Sequence, residues 1–306
     1  MLLDLLQLVL SLIMIFYGAK CVLSGTLRLS HSLGLEKFVV GTLLVGSITA
    51  LPELFSSVMA AVWGSSRLAF GNLLGTNIYN LPLLIGLCGL AKEFEIKNSI
   101  VKGCQTFIAL NVLLASITLA TGGVTPVVGA LFLGFYALYI FGSLRRNGGH
   151  YQRDPRPRSR RAAAFVLAGG GSLVLGSMLL VRGALGIMEK LGLEGFAVGV
   201  LIVSLGPIIP EVAVSLIAAL RGEHEVSMGN IIGDNTVTIT LVFGLVALMR
   251  PFEVSPTEVL ATIPFSIIFT GLLILIKKIN LNVTRGVGLA MLASALATFV
   301  FQMMIL

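Results

Sequence analysis

Two Pro-Glu pairs, Pro52-Glu53 and Pro210-Glu211, stand inside otherwise apolar stretches of this 306-residue chain. Proline cannot extend a helical hydrogen-bond ladder and disfavours helical geometry at the residue before it. The spacing therefore predicts a helix that breaks around residues 48 to 51 and restarts at Pro52. Gly206-Pro207-Ile208-Ile209-Pro210-Glu211 does the same, with a second proline to enforce the break. Carbonyls at such a break lose their partners, which lipid tolerates only where protein or a watery cavity satisfies them. Glu53 and Glu211 fall in the first turn of the restarted helices, where the dipole favours negative charge. Carboxylates and freed carbonyls together make an oxygen-lined site for a hard cation. Ca²⁺ suits it better than Mg²⁺, because Ca²⁺ accepts six to eight irregular oxygens. Two facing carboxylates in low dielectric cannot both stay ionised uncompensated, and a divalent cation removes that conflict. No Cys or His lies nearby, which disfavours zinc and copper.

A second motif follows each pair. In Gly71-Asn72-Leu73-Leu74-Gly75-Thr76-Asn77-Ile78-Tyr79-Asn80, the two glycines make a small face for close helix contact. Asn72, Thr76 and Asn80 recur every four residues and share one helix face. The second copy puts Asn230, Asp234 and Thr238 on the matching face. Asn and Thr also serve as hydrogen-bond glue between membrane helices, and that reading stays open for Asn72 and Asn230. Asp234 is a third intramembrane carboxylate and needs a cation or a proton.

The two motif pairs belong to an internal repeat with an offset of 158 residues. From Leu33 to Asn80, 19 of 48 positions match their partners in Leu191 to Thr238 without a gap, beginning with Leu33-Gly34-Leu35-Glu36 against Leu191-Gly192-Leu193-Glu194. The chain is 56% hydrophobic and only 11% charged, against about a quarter charged in soluble domains. It reads as an all-α polytopic membrane protein. Apolar segments fall near 2–28, 36–63, 68–91, 101–121 and 125–143, then near 162–189, 195–221, 226–249, 257–276 and 283–304. Five helices in each repeat turn the second copy upside down in the bilayer, giving ten transmembrane helices as two inverted five-helix repeats. The division is residues 1–143, a basic linker 144–161, and residues 162–306.

Charge fixes an orientation. With the N-terminus outside, the inner connections hold 16 of the 21 basic residues, seven of them arginines between Arg145 and Arg161. The positive-inside rule then puts both termini outside and the central loop in the cytoplasm of a plasma-membrane protein. The basic loop accounts for the net charge of +7, so nucleic acid is not the implied partner, whereas attraction to anionic lipid is. The N-terminal segment lacks a basic leader region and reads as a first membrane helix. Cys21, Cys88 and Cys104 have no metal-site or disulfide spacing. No nucleotide-binding loop, zinc-protease motif or nucleophile elbow is present, so the chain does not read as an enzyme. Lys20 and Arg182 lie within helices, either snorkelling to an interface or standing as built-in cations near the cavity.

The paired P-E and G-N-x-x-G motifs resemble the two alpha-repeats of the cation/calcium exchanger superfamily, most closely those of prokaryotic sodium/calcium exchangers. Those repeats read roughly G-T-S-L-P-E and then G-N-x-x-G-S-N. The resemblance covers both repeats, the ten-helix count and the basic central loop. It implies a Ca²⁺/Na⁺ antiporter working by alternating access, with the first and sixth helices sliding. Glu53 and Glu211 would be the central ligands, joined by the carbonyls of Thr49 and Pro207, with Asn80 near the centre and the Thr76 hydroxyl at a flanking Na⁺ site. No cofactor or protein partner is implied beyond the transported ions, and one chain suffices to form the site. Three departures bear on coupling. The first G-T-S is Ile48-Thr49-Ala50, the second is Gly206-Pro207-Ile208, and a family serine is Asp234 while an often acidic position is Thr238. Asp234 thus replaces lost neutral oxygens, binding either one Na⁺ or one proton, and H⁺-coupled exchange is the alternative to Na⁺.

Overall fold

A computed structural model describes residues 2–30, 42, 45–146 and 160–306. Its helices are α1 (Leu2–Ser30), α2 (Gly46–Val62), α3 (Ser66–Ala91), α4 (Asn98–Thr121), α5 (Pro126–Arg146), α6 (Arg160–Leu191), α7 (Gly195–Leu220), α8 (His224–Met249), α9 (Pro256–Lys278) and α10 (Arg285–Ile305). Among the described residues, eight helices are long and apolar enough to cross a membrane; α2 and α5 are shorter apolar helices. Most of the expected central linker, and the repeat's opening Leu33 to Glu36, lie outside the described residues.

Short β-ribbons tie the connections together. β1 (Phe94–Glu95) pairs antiparallel with β4 (Asn282–Val283), and β2 (Gly123–Val124) pairs with β3 (Phe252–Glu253). Adding 158 to β1 gives β3, so Phe94-Glu95 and Phe252-Glu253 take the same role in opposite ribbons. Backbone conformation obeys the same offset. Gly64 and Gly222 both have positive φ, of 89° and 79°, in the turns after α2 and α7. Gly122 and Asn280 likewise occupy the left-handed region beyond α4 and α9, a conformation that Gly adopts freely and Asn tolerates. The 158-residue correspondence is thus seen in backbone conformation beyond Asn80 as well.

Ion pairs brace the same connections. Arg67 at the start of α3 binds Glu258 of α9 at 2.5 Å, and Glu258 also completes a capping box with Ser255. In the other half Glu225, the equivalent of Arg67, pairs with Lys97, three residues before the equivalent of Glu258. A similar brace is made with the charges exchanged. Lys277 on Glu95, at 2.6 Å, adds a third brace, and that ammonium holds the Glu95 carboxyl below the usual range.

The centre of the molecule is α3 and α8, the two most buried helices. No hydrophobic force drives helices together in lipid, so close packing and hydrogen bonds must do it. Glycines permit the approach. A Cβ on Gly75 would lie 2.7 Å from the Val200 carbonyl of α7, and one on Gly233 would lie 2.5 Å from the Thr42 Cα. Positions 42 and 200 are equivalents, as are 75 and 233. Each half thus presses the leading part of its interrupted helix against the third helix of the other half.

Gly75→Ala should lower the melting temperature of the detergent-purified protein by several degrees, since overpacking of this kind costs about 1–3 kcal/mol. Gly134→Ala, whose Cβ would meet nothing within 4 Å, is the control. Equal melting of Gly75→Ala and the parent would refute this account of the α3–α7 contact.

Candidate cation site

The interruption expected in α2 is present. A short helix, Gly46–Thr49, meets a second segment, Leu51–Val62, at Ala50, and Pro52 lies in the first turn of that segment. Ala50 stays in the right-handed region, at φ −71° and ψ −4°, so the joint is a slight turn rather than an open gap. In α7 the expected break at Gly206-Pro207 falls earlier. A π-helical turn, Gly199–Val203, leads through Ser204 into the helix Leu205–Leu220, which contains both Pro207 and Pro210. Pro207 is the third residue of that helix, where a backbone N–H has no intrahelical partner and its loss costs little. Pro210 does remove a donor, the one that would have reached the Gly206 carbonyl. Pro52, the second residue of its own segment, costs little in the way Pro207 does, and the Ile48 carbonyl accepts a backbone N–H at the joint.

These interruptions bring three carboxylates together. One oxygen each from Glu53, Glu211 and Asp234 lies within 4.8 Å of the others. All three residues are fully buried. Neither oxygen of Glu53 nor of Glu211 has a hydrogen-bond partner, and neither does Oδ1 of Asp234. Buried charges ordinarily have a partner, because stranding one is costly. Among the described residues, the one protein donor on the cluster is the Asn80 amide, which donates to Asp234 Oδ2 at 2.9 Å and to Asn235 Oδ1 at 3.0 Å. Negative charges this close repel strongly in a water-free medium. A cation offsets that repulsion and satisfies the orphaned oxygens together.

The surrounding residues divide into two groups. Thr238 Oγ1 and Asn80 Oδ1 are buried and unpartnered, so both oxygens are free to accept. Thr76 donates its hydroxyl to the Asn72 carbonyl at 2.9 Å, leaving lone pairs on the oxygen. Asn230 is committed to protein at both ends. Its Nδ2 donates to Ser215 at 2.9 Å, and its Oδ1 accepts from Thr49 Oγ1 at 2.9 Å. Asn72 mirrors the first contact, donating to Ser57 at 2.8 Å and Ser56 at 3.0 Å, but its Oδ1 has no partner. The cause is legible at the equivalent of Thr49: Pro207 has no hydroxyl to give. The glue reading therefore describes Asn230 fully and Asn72 by half.

Two expectations about cations are resolved. Lys20 is exposed, and Arg182 is exposed with its guanidinium 5.2 Å from the Trp63 ring centroid. Neither neutralises the glutamates. Asn77 and Asn235 were not singled out from sequence, although both stand in the repeated motif. Asn235 orients Asn80, and Asn77 has both amide atoms buried without partners.

A family model described as sodium/calcium exchanger protein matches residues 3–145 and 161–304. The putative antiporter CaxA of Alkalimonas amylolytica is 31% identical over 252 residues, covering 78% of this chain and 79% of that protein. The sodium/calcium exchanger MaX1 of Methanosarcina acetivorans is 23% identical, covering 93% and 94% respectively. In fold, the chain is similar to the sodium-calcium exchanger NCX_Mj soaked with Na⁺ and Sr²⁺, with a TM-score of 0.74 and 23% identity over 100% of this chain and 99% of that one.

Glu53→Gln removes one of the repelling charges, so the variant should melt higher than the parent without divalent cation. The parent should gain stability on Ca²⁺ addition, by about 2.7 kcal/mol at a hundredfold excess over Kd, and the variant should gain almost none. Differential scanning in detergent reads both effects, and a Ca²⁺ response retained by Glu53→Gln would remove Glu53 from the site.

Proposed function

The chain belongs to the sodium/calcium exchanger protein family, a family of membrane antiporters, and from that premise we propose that it exchanges Ca²⁺ for Na⁺ by alternating access. Ca²⁺ sits at the midplane between Glu53 and Glu211. The observation that carries this reading is the fully buried trio of Glu53, Glu211 and Asp234, whose oxygens have no protein donor among the described residues apart from Asn80. Carbonyls of Thr49 and Pro207 complete the Ca²⁺ shell. Thr76, Asn80, Thr238 and the free Asn72 oxygen supply neutral ligands, and Asn230 holds α8 against α2 and α7.

In this reading all ten helices cross the plasma membrane as two inverted repeats, with both termini outside and the basic loop in the cytoplasm. The ribbon pairing supports it. β1 and β4 must lie on one face, and β2 and β3 on one face, as ten successive crossings require.

The counter-ion turns on Asp234. Hydroxyl oxygens suit Na⁺, and the second repeat has Pro207 and Ile208 where hydroxyls would stand. A carboxylate in their place binds one Na⁺, or in the alternative reading one proton. Uptake of radiolabelled Ca²⁺ into proteoliposomes, under separate outward Na⁺ and H⁺ gradients, separates the two. Na⁺-driven uptake that is abolished by Glu53→Gln and loses Na⁺ cooperativity in Asp234→Asn is the expected result. Uptake driven by H⁺ alone makes Asp234 a proton carrier, and no uptake under either gradient ends the calcium reading.

A further inference from the structure

On the face of the β2–β3 ribbon, a cavity of about 450 Å³ lies where the start of α3 meets the start of α7 and the end of α8. Several donors in its wall are unused. Arg250, just beyond α8, is exposed and makes no ion pair or hydrogen bond among the described residues. Ser66 lines the cavity at only 8% exposure, and its hydroxyl has no partner among the described residues. Ser65 is the N-cap of α3, yet its side chain accepts from none of the first-turn N–H groups, which have no partner within the helix. Ser65 Oγ and the Leu68 nitrogen lie side by side, each 3.6 Å from where a Cβ on Gly195 would stand.

The charge in the wall does not balance. Its other two charged residues, Arg67 and Glu194, pair with each other at 3.2 Å, and Arg67 is held by Glu258 as well. Arg250 is left as an uncompensated positive charge, to which the positive end of the α3 dipole adds. The other half supplies acid at the equivalent place. The equivalents of Ser65 and Arg67 are Glu223 and Glu225, and Glu225 stands in the first turn of α8. α3 has no acidic residue in its first turn. The cations themselves are repeated, since Arg250 answers to Lys92. Arg250 Nη1 is 3.5 Å from a Cβ placed on Gly64, and Lys92 Nζ is 3.2 Å from one placed on Gly222. One face therefore carries its own carboxylates beside the cation and the helix N-terminus. The cavity has the cation and the N-terminus, with hydroxyls where the other half has acid.

We propose that this cavity binds a phosphate oxyanion, either free or on a lipid headgroup. Its oxygens accept from the Arg250 guanidinium, the Ser65 and Ser66 hydroxyls and the N-terminus of α3. Met188, Leu193 and Phe252 give the cavity an apolar side as well, which suits the glycerol end of a headgroup. The site shares no residue with the three carboxylates and does not depend on which ions are transported.

Two measurements on delipidated, detergent-purified protein distinguish the sources. Equilibrium dialysis of radiolabelled inorganic phosphate at low salt reads the free ion. Native mass spectrometry with added phosphatidylglycerol, and with a phosphate-free diglucosyl diacylglycerol as the blank, reads the lipid. Arg250→Gln should weaken binding by about tenfold, the loss of one charge-assisted contact. Ser66→Ala should weaken it by about fivefold, the loss of one neutral hydrogen bond. Arg285→Gln, which removes an exposed arginine beside the other ribbon, should change nothing. Inorganic phosphate binding with that ranking establishes a free-anion site. Retention of phosphatidylglycerol alone, with the same ranking, assigns the occupant to the membrane. The proposal is overturned if neither probe binds, if the glycolipid binds as well as phosphatidylglycerol, or if Arg250→Gln binds no more weakly than Arg285→Gln.

Discussion

Three carboxylates confined within 4.8 Å, with one amide between them to donate a hydrogen bond, are the constraint around which the rest is arranged. Left alone, such a cluster opposes folding, because charge removed from water needs a partner. The fold accepts it by leaving the glutamate oxygens unbonded and enclosed. That arrangement has a physical purpose only if something positive comes and goes. A permanent lysine or arginine partner would stabilise the apo protein and abolish exchange. The two candidates, Lys20 and Arg182, are both exposed, and Arg182 is engaged by Trp63 instead.

Holding the cluster together falls to helices that cross between the halves. Gly75 admits α7 and Gly233 admits the leading part of α2, so each glutamate-bearing helix leans on the third helix of the other half. Asn72 and Asn230 repeat the same serine contact, at 2.8 and 2.9 Å. Ribbons and ion pairs then brace the connections of α3, α4, α5, α8, α9 and α10. α1 and α6 have no strand in those ribbons, and their strongest polar contacts are with each other and with α2.

The symmetry is approximate, and the departures fall around the three carboxylates. Thr76 answers to Asp234, Asn80 to Thr238, and Thr49 to Pro207. The last exchange removes a hydroxyl and so leaves the Asn72 oxygen without a donor. Pro82 in α3 answers to Thr240, in a π-helical turn of α8. Thus the first half offers hydroxyl and amide oxygens around one glutamate. The second offers a carboxylate, a wider helical turn and an unbonded threonine. Unequal donor sets on either side of a pseudo-symmetric site are a route to binding two chemically different cations in one cavity.

Much of this was written in the chain itself. The 158-residue offset, the Pro-Glu pairs, the third carboxylate at Asp234 and the apolar segments are local patterns, readable because proline geometry and membrane solvation act on each segment independently. Helix existence followed from those patterns. The break in α7 did not, since a proline within the first helical turn is tolerated, and the irregular turn lies earlier, where Val200 packs on Gly75. Nor could spacing assign Asn72 and Asn230 different duties, because the orphaned Asn72 oxygen depends on a residue 135 positions away, Pro207. The Ser177–Pro52 and Arg182–Trp63 contacts have no local signature at all. They exist because two distant helices share one interface, and only the tertiary structure decides which partners a buried polar group meets.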